Sequence, residues 1–390
     1  MKNSFKYDVV IIGGLGHIGL PLGVVFASKG LKVCLNDINK DVAKIVNNGE
    51  MPYVEYGAEP ILKEVLANGK LVVSLDPKCI SDAKYVIIAI GTPVDEYLNP
   101  KTRQFLDFIK NIKQYLSSNQ VIIVRSSVFP QSLHQIMSIL GNDQKWHLAY
   151  CPERIVQGFA VRELETLPQI VSGFSDYAVE QSQQLFLKIT NKTIKTTMRE
   201  AELAKLFSNS WRYIQFAIAN QFYMISESHD VDYNRIREIM IDGYDRSKGL
   251  PSAGFTAGPC LLKDTMQLSA FNSNQFQLGQ AAMNINEGLP NYIVDNLSKE
   301  FDLSKKIIGI LGMAFKADVD DIRDSLSYKL RKILIFRGAK VLCCDEFVDD
   351  VSFLTQDELV EQSDIVIIGA PHKAYSSIDF SKVKLINIWE

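Results

Sequence analysis

The sequence predicts an α/β protein with two Rossmann-like parallel-sheet domains joined by a central domain of long helices. Apolar strands alternate with helices over the first half of the chain, long helical runs follow, and the alternation resumes near Leu303. Alternating strands and helices are typical of parallel sheets covered by helices. We therefore expect three domains, at residues 1–195, 196–298 and 299–390.

The chain begins with an apolar strand, Tyr7–Ile12, that leads into a glycine-rich turn. Gly14, Gly16 and Gly19 form a Gly-x-Gly-x-x-Gly pattern, which allows a tight turn, close approach of the backbone to a pyrophosphate, and close helix–strand packing. A second strand ends at Asp37, where an acid binds ribose hydroxyls and repels a 2′-phosphate. The pattern predicts an NAD site, against the alternative of a turn in another α/β fold.

Four more segments of this domain have strand composition, and two of the loops that follow them carry small polar residues. The strands are Leu71–Leu75, Tyr85–Ile90, Val121–Arg125 and His147–Tyr150. The loops contain Thr92, Pro93 and Ser127. Ligands of doubly wound sheets lie at the carboxyl ends of the strands, so these residues are candidate cofactor contacts. The alternative is ordinary helix capping.

Glu153 and Arg154 follow the strand His147–Tyr150, so they lie at the same expected edge of the sheet. A carboxylate beside an arginine at a strand end is a candidate general base or substrate contact. The alternative is an ion pair on the surface, which stabilises a protein only weakly.

The pattern then changes to one long helix at Arg199–Ser228. Glu202, Lys205, Asn209 and Arg212 recur on it at steps of three and four, which places them on one face. A solvated face is the usual interpretation of such a stripe. Here bulky apolar residues flank it, which favours a buried stripe whose polar groups need partners.

A second long helix is predicted at Leu278–Lys299, with a kink expected at Pro290. Long helices without strands often pack against their copies in another subunit. We therefore expect residues 196–298 to form the interface of a homodimer or a higher homo-oligomer.

A loop of small residues brings Cys260 to the start of a helix predicted at Lys263–Phe271. Cys260, Lys263 and Asp264 share one face because they stand at positions i, i+3 and i+4. The positive end of the helix dipole and the nearby ammonium both favour the thiolate, which is the nucleophilic form. The alternative is a cysteine buried in the core, where most free thiols lie.

The C-terminal segment repeats the alternation of strands and helices. The predicted elements are a strand that begins at Lys306, a helix at Ser325–Arg337, and strands at Ala339–Cys344, Asp364–Gly369 and Val383–Ile388. Gly309 and Gly312 have a Gly-x-x-Gly spacing, which differs from the dinucleotide fingerprint. Lys316 and Arg323, in the loop that follows, are candidates for binding a phosphate or an acid.

Composition excludes several classes of function. The chain of 390 residues contains 47% hydrophobic and 22% charged residues, as soluble globular proteins do, and its net charge is −3. Because it has no strongly basic block, we expect no nucleic-acid partner. Its six cysteines form no Cys-x-x-Cys pair and its five histidines show no ligand spacing, so we expect a cytoplasmic protein without disulfides or metal. No apolar run reaches the roughly 18 residues of a membrane span, so we expect no membrane segment.

Taken together, these motifs resemble the UDP-glucose/GDP-mannose dehydrogenases, which are NAD-dependent nucleotide-sugar 6-dehydrogenases. The resemblance covers essentially the whole chain. It rests on the segments Gly14–Leu22, Gly91–Pro93, Glu200–Lys205 with Asn209, Gly258–Asp264, Gly312–Lys316 and Asp321–Ser325. It departs from the family at Pro130-Gln131-Ser132, where members usually have Pro-Gly-Thr.

The resemblance implies that the first domain binds NAD, the central domain carries catalysis and dimerisation, and the last domain binds a UDP-sugar. It also implies a four-electron oxidation of a primary alcohol to a carboxylate, with Cys260 forming a thiohemiacetal and then a thioester. Lys205 and Asn209 would hold the oxyanions. Asp264 would transfer protons and activate water, and Glu153 would assist hydrolysis of the thioester.

The same resemblance implies two groups of binding residues. The NAD contacts are Gly14, Gly16, His17, Ile18, Gly19, Asp37, Thr92, Pro93, Ser127, Lys263 and Arg323. The substrate contacts are Arg154, Ile155, Arg212, Arg246, Phe255, Gly258, Phe315 and Lys316. Arg246 would reach the substrate across a dimer.

The sequence favours UDP-N-acetylmannosamine (UDP-ManNAc) or UDP-N-acetylglucosamine (UDP-GlcNAc) over UDP-glucose as the substrate. Asn209-Ser210-Trp211-Arg212 and Cys151-Pro152-Glu153-Arg154-Ile155 are similar to members that oxidise UDP-N-acetylhexosamines. Two alternatives stay open, namely a UDP-glucose 6-dehydrogenase and, more remotely, a two-electron hydroxyacid dehydrogenase. The second needs no thiol and accounts neither for Cys260 nor for the third domain.

Overall fold

The computed structural model describes residues 5–92, 94–95, 100–141 and 146–389. The chain divides into two compact units, Met1–Phe207 and Ser208–Glu390. Each unit contains a sheet of mainly parallel strands with helices, which confirms the predicted α/β class.

The first unit contains an eight-stranded sheet over its described residues. Its strands are β1 (Tyr7–Ile12), β2 (Val33–Asn36), β3 (Leu71–Ser74), β4 (Ala83–Ile88), β5 (Gln120–Val124), β6 (Trp146–Tyr150), β7 (Gln169–Gly173) and β8 (Thr193–Lys195). They lie in the order β3-β2-β1-β4-β5-β6-β7-β8, and neighbours are parallel except for β6 and β7. The first six strands have the order of dinucleotide-binding sheets and confirm the six predicted strands, while β7 and β8 extend the sheet beyond the prediction.

Helices cover both faces of this sheet. They are α1 (Gly19–Ser28), α2 (Lys40–Asn47), α3 (Ala58–Ala67), α4 (Thr102–Lys113), α5 (Ser132–Leu140), α6 (Ala160–Thr166) and α7 (Asp176–Phe186). Val9 and Ile11 of β1 pack in the core that contains α1, whereas Val10 and Ile12 pack in the core that contains α4 and α5. Because successive side chains of a strand point to opposite faces, β1 is buried on both.

Helix α8 (Met198–Glu227) runs from the first unit into the second, almost as predicted. Of its predicted polar stripe, Glu202, Lys205 and Asn209 are buried and Arg212 is exposed. The prediction of a buried stripe is therefore correct for three of these four residues, and Arg212 alone is exposed to solvent.

The second unit combines further helices with a four-stranded sheet in its described residues. The helices are α9 (Tyr233–Ile241), α10 (Leu261–Phe271), α11 (Gln277–Glu300), α12 (Leu326–Phe336) and α13 (Gln356–Gln362), and α11 continues through Pro290. The strands are β9 (Ile307–Leu311), β10 (Lys340–Cys344), β11 (Ile365–Ile368) and β12 (Lys384–Ile386). Their order is β10-β9-β11-β12 with all neighbours parallel, which confirms the second, smaller Rossmann-like sheet.

Gln131, which departs from the family pattern, takes a backbone conformation that glycine favours. Its φ is +76°, in the left-handed region, at the residue before α5. Its N–H donates to the Glu202 carboxylate at 3.2 Å, so the turn is held without a glycine. Burial raises the pKa of Glu202, and the hydrogen bond from Gln131 opposes that shift.

Replacing Gln131 by glycine is expected to raise the free energy of unfolding by up to about 1 kcal/mol. Glycine adopts a left-handed backbone conformation without steric strain, which stabilises the folded state. The greater conformational entropy of glycine in the unfolded chain offsets part of this gain. Urea unfolding measures the change. Asn119 (φ 65°) is the matched control, because asparagine tolerates this region and its replacement by glycine gains less. A loss of stability in Gln131→Gly would mean that the glutamine side chain holds the turn.

Candidate active site

The glycine-rich turn after β1 is shaped by close packing. Gly13 has a φ of +76° and is the left-handed residue of the turn, although it lies outside the fingerprint. A Cβ atom at Gly14 would lie 2.8 Å from the Cα of Leu35, and one at Gly19 would overlap the carbonyl oxygen of Gly13. Gly16 is exposed and has room for a Cβ, so its backbone is open to a ligand. The turn therefore fits a pyrophosphate.

Asp37 places its carboxylate at this turn. One oxygen accepts from the N–H of Leu15 at 3.0 Å, and the other accepts from the N–H of Ile38 at 2.7 Å. The side chain is half-buried beside the exposed Ile38. An acid fixed next to the turn suits the adenosine ribose of NAD, so the residues present fit the cofactor.

His17 belongs to a small network over the same turn. Its ring lies 4.0 Å from the ring of Tyr53, and its Nδ1 lies 3.0 Å from the amide nitrogen of Gln157. The Tyr53 hydroxyl donates to the carbonyl of Gly16 at 2.9 Å. Sequence reasoning missed Tyr53 and Gln157, because no local spacing links them to the turn. Ile18 packs against the core at the start of α1.

The loops that follow β4 and β5 meet at the carboxyl edge of the sheet. The Thr92 hydroxyl donates to the carbonyl of Ser127 at 2.5 Å, and Ser126 donates to the carbonyl of Ile90 at 2.7 Å. The predicted contacts Thr92 and Ser127 are thus brought together. Pro93 lies outside the described residues.

Glu153 is buried in an ion pair, but its partner is Arg125 rather than the neighbouring Arg154. One Glu153 oxygen receives the Arg125 guanidinium, and the other accepts from the N–H groups of Arg154 and Ile155 at 2.6 and 2.9 Å. The same guanidinium donates to Gln169 at 2.8 Å. The surface ion-pair alternative is therefore wrong for Glu153. Arg125 was missed as a site residue, although a cation at the end of an apolar strand was a usable signal.

Arg154 makes separate contacts. Its guanidinium donates to the carbonyl of Pro168, and burial lowers the pKa of Arg154. Ile155 packs against the core of the first unit. Both residues therefore contact the Glu153 carboxylate through their main-chain N–H groups, and the Arg154 guanidinium has a different hydrogen-bond partner.

Cys260 lies immediately before α10 and is exposed, so the core-cysteine alternative is wrong. Its carbonyl accepts from the N–H of Asp264 at 2.9 Å, which fixes both residues within the first turn of the helix. Asp264 is fully buried. Its carboxylate accepts from the Asn209 side-chain nitrogen at 2.6 Å and lies 3.5 Å from the Lys263 ammonium. The structure thus places an exposed cysteine one helical turn before a buried carboxyl that contacts an amide and an ammonium.

The loop that carries Cys260 packs against a second predicted contact. Gly258 has a φ of +98°, and a Cβ atom there would lie 2.6 Å from the ring of Phe315. The N–H of Phe315 donates to the carbonyl of Asp321 at 2.9 Å. The Asp321 carboxylate binds the Arg323 guanidinium at 2.5 Å and raises the pKa of Arg323, to which the nearby Cys260 also contributes.

The remaining predicted contacts of this unit differ in exposure. The side chain of Phe255 is buried in a hydrophobic core, so only its main chain is available to a ligand. Lys316 is half-buried. Arg212 and Arg246 are exposed, and the Arg246 guanidinium lies 5.1 Å from the centre of the Tyr244 ring.

Two other kinds of site, a metal centre and a membrane span, can be judged from the described residues. No group of three or more His, Cys, Asp or Glu residues there is placed to hold a metal ion. No helix of that part of the chain combines the length and the apolar character that a membrane span requires.

Models of three domains of a single family match the chain. They are its NAD binding domain at residues 8–190, its central domain at 199–288 and its UDP binding domain at 309–387. The chain belongs to the UDP-glucose/GDP-mannose dehydrogenase family. It is accordingly an NAD-dependent nucleotide-sugar dehydrogenase, as the sequence predicts.

Individual members resemble the chain along its whole length. The UDP-N-acetyl-D-mannosamine dehydrogenase of Methanocaldococcus jannaschii is 29% identical, over 99% of this chain and 90% of that protein. The solved UDP-D-ManNAc dehydrogenase of Pyrococcus horikoshii aligns with a TM-score of 0.90 at 26% identity, over 98% of this chain and 95% of that one. The UDP-glucose dehydrogenase of Pyrobaculum islandicum has a TM-score of 0.92 over 100% and 96% of the chains, but at 22% identity it supports the fold alone.

Proposed function

We propose that this enzyme oxidises C6 of a UDP-N-acetylhexosamine, UDP-ManNAc or UDP-GlcNAc, from the primary alcohol to the uronic acid. The observation that carries the proposal is the exposed Cys260 at the start of α10, one turn from the buried Asn209–Asp264 pair. An exposed thiol is available to a substrate, as a covalent intermediate requires. Relatives named for UDP-N-acetyl-D-mannosamine support this choice of sugar.

In the first oxidation, C6 loses a hydride and its hydroxyl loses a proton, which gives an aldehyde. NAD, when bound, supplies the hydride acceptor for this step and for the later one. Lys205 and Asn209 stabilise the charge on the substrate oxygen, because an ammonium and an amide both donate hydrogen bonds to it. Asp264 takes part in the proton transfer.

Cys260 then retains the aldehyde on the protein. Its thiolate adds to C6 and the oxygen takes up a proton, which forms a thiohemiacetal. Loss of a second hydride from C6 and of the hydroxyl proton leaves a thioester. Because C6 is bonded to sulfur from the thiohemiacetal to the thioester, the aldehyde is not released before the second oxidation.

Water completes the reaction. It adds to the thioester carbonyl, the carbon–sulfur bond breaks, and the thiolate of Cys260 leaves. The uronate forms, and both protons of the water are released. Asp264 activates this water, and Glu153 assists. We give Glu153 a supporting role because its carboxylate is already engaged by Arg125 and by two backbone N–H groups.

Substrate and cofactor binding are assigned to the three predicted domains. Residues 1–195 bind NAD, 196–298 carry catalysis and dimerisation, and 299–390 bind the UDP moiety. The contacts named from the resemblance keep their roles in this proposal. Phe255 would act through its main chain, since its ring is buried.

The proposed oligomer is a homodimer formed through α8. Trp211, Ile218, Phe222 and Ile225 are exposed at 60%, 40%, 39% and 48%, and their spacing places them on one side of the helix. An exposed apolar stripe of this kind suits a helix that packs against its copy. Arg246, which is exposed, would then reach the substrate of the partner. We place the enzyme in the cytoplasm, which suits its free cysteines.

A panel of UDP-sugars, with NADH counted per acid formed, tests the proposal. UDP-ManNAc or UDP-GlcNAc is expected to give two NADH per uronate, and UDP-glucose a much lower kcat/KM. Turnover of UDP-glucose alone would refute the N-acetylhexosamine assignment. One NADH per product would refute the four-electron reaction and favour the two-electron rival.

A further inference from the structure

The loop between β9 and α12 contains Phe315 and Lys316, the proposed contacts to the nucleotide of the substrate. It lies at the carboxyl edge of the second sheet, where Rossmann-like sheets bind their ligands. Residues that follow β10 and β11 meet the loop at the same edge. Two of them, Asp345 and His372, are fully buried and hydrogen-bond to each other.

Asp345 holds the first part of this loop. One of its carboxylate oxygens accepts from the N–H groups of Met313 and Ala314, at 2.6 and 2.8 Å. The other oxygen accepts from the N–H of Phe347 at 2.9 Å. Burial by itself would raise the pKa of Asp345, but the hydrogen bonds from His372 and from the main chain outweigh it and keep the pKa below its usual value.

His372 holds the far part of the same loop. Its Nδ1 lies 2.8 Å from the N–H of Asp318, and its Nε2 lies 3.1 Å from the Asp345 carboxylate. A backbone N–H can only donate, so Nδ1 accepts and the proton resides on Nε2, which donates to Asp345. The Asp318 carboxylate accepts in return from the N–H of Lys373 at 3.0 Å.

The loop is therefore fixed on both sides of Phe315 and Lys316. Asp318 has a φ of +56°, a left-handed conformation that persists only where the surroundings determine it. The rings of Phe347 and Tyr375 pack on the His372 ring, with centroids 4.9 and 5.2 Å away. This packing holds the imidazole in the orientation that both of its hydrogen bonds need.

Asp345 has a counterpart in the first sheet, Asp37, but the two carboxylates differ in exposure. Asp37 follows the strand beside β1 as Asp345 follows the strand beside β9, and each accepts from the loop after the first strand of its sheet. Asp37 is half-buried, so a ribose can reach it. Asp345 is enclosed and both of its oxygens are used internally, so it cannot contact a ligand. An aspartate at the same position of the two sheets is thus open to a ligand in the first sheet and holds a loop in the second.

We propose that Asp345 and His372 are positioning residues that set the 313–318 loop for the UDP moiety, so that Phe315 and Lys316 meet it without prior rearrangement. This inference rests on the proposed function of that loop. His372 has no catalytic part, because both ring nitrogens are committed to structural hydrogen bonds. Loss of the pair should weaken UDP binding, because a loop that is no longer held must be ordered when UDP binds, and this ordering costs conformational entropy.

The test measures UDP binding by calorimetry and steady-state turnover in the full-length enzyme. His372→Leu removes both hydrogen bonds, and it is expected to raise the Kd for UDP and the KM for the UDP-sugar about tenfold. The kcat at saturating sugar and the Kd for NAD should stay near the parent values. His372→Gln, whose amide can both donate and accept, should restore most of the affinity.

A matched control separates positioning from general loosening. Leu359→Ala opens a cavity in the same sheet's core, where Leu359 is fully buried, and it changes no residue of the loop and neither hydrogen bond of His372. If this variant weakens UDP binding as much as His372→Leu does, or if His372→Leu binds UDP like the parent, the positioning role is wrong. Should His372→Leu fail to fold, Asp345→Asn decides the question, because unchanged UDP affinity in that isosteric variant overturns the proposal.

Failure of the proposed function has a different signature. If the parent enzyme binds no UDP, and Phe315→Ala leaves the KM for every UDP-sugar unchanged, then the loop is not the nucleotide site. If the parent binds UDP, and the His372 and Asp345 variants bind it with an unchanged Kd, then the loop is still the nucleotide site. Only the positioning role is then wrong.

Discussion

Cys260→Ala is expected to lower the rate of uronate formation by at least about 10³-fold, because it removes the covalent route that we propose through the thiohemiacetal and thioester. The first oxidation does not need sulfur, so the variant should still produce a small amount of NADH and of aldehyde. Rapid-quench analysis of the sugar products, together with NADH absorbance, measures both. Because Cys260 is exposed, the free energy of unfolding should change by no more than about 0.5 kcal/mol.

Two further variants sharpen this result. Cys260→Ser keeps a weak oxygen nucleophile and is expected to stall at the second oxidation or at hydrolysis. Cys343→Ala removes a buried thiol of the second unit and controls for the general loss of a cysteine. Uronate formation at the normal rate in Cys260→Ala would mean that the mechanism is not covalent.

Arg125→Leu is expected to lower the free energy of unfolding by about 3–5 kcal/mol, since it leaves a buried carboxylate without its counter-charge. The side chains of Arg125 and Glu153 are 0% and 6% exposed, so water cannot replace the lost partner. The guanidinium also lies 4.7 Å from the centre of the Phe186 ring, and that contact is lost as well. Urea unfolding followed by circular dichroism measures the change.

The double variant Arg125→Leu/Glu153→Gln separates charge from packing. The glutamine is neutral, and its carbonyl can still accept from the N–H groups of Arg154 and Ile155. It should therefore recover part of the stability lost in Arg125→Leu. If the double variant is less stable than Arg125→Leu alone, the ion pair is not the source of the effect.

The fold could be predicted from the sequence because strands and helices follow local periodicity. The first six strands and α8 were found within a few residues of their observed ends. The Gly14–Gly19 turn and Asp37 were found because their spacing is fixed by one strand–helix–strand unit. Cys260 and Asp264 are four residues apart at the start of one helix, so their proximity also follows from their spacing in the sequence.

The rest of the site depends on contacts between distant parts of the chain. Arg125 meets Glu153 across two neighbouring strands, and Asp345 meets His372 across the ends of two others. No periodicity in the sequence pairs these residues. Phe255 shows a second limit of the sequence. It lies in the loop that leads to Cys260 and was expected to contact the substrate, but its side chain is buried in the core. Its position in the motif does not reveal which way it points.

The hydrogen bond between Asn209 and Asp264 restricts which amino acids can function at position 209. An amide nitrogen carries two hydrogens, and the carboxyl group of Asp264 takes one of them. The second hydrogen is the one that our proposed mechanism directs at the substrate oxygen, and the first hydrogen bond fixes its orientation. An ionised carboxylate at position 209 would have no hydrogen to donate, and it would repel the carboxylate of Asp264 in a buried place. Aspartate is therefore disfavoured there on electrostatic grounds, although it has the same shape as asparagine.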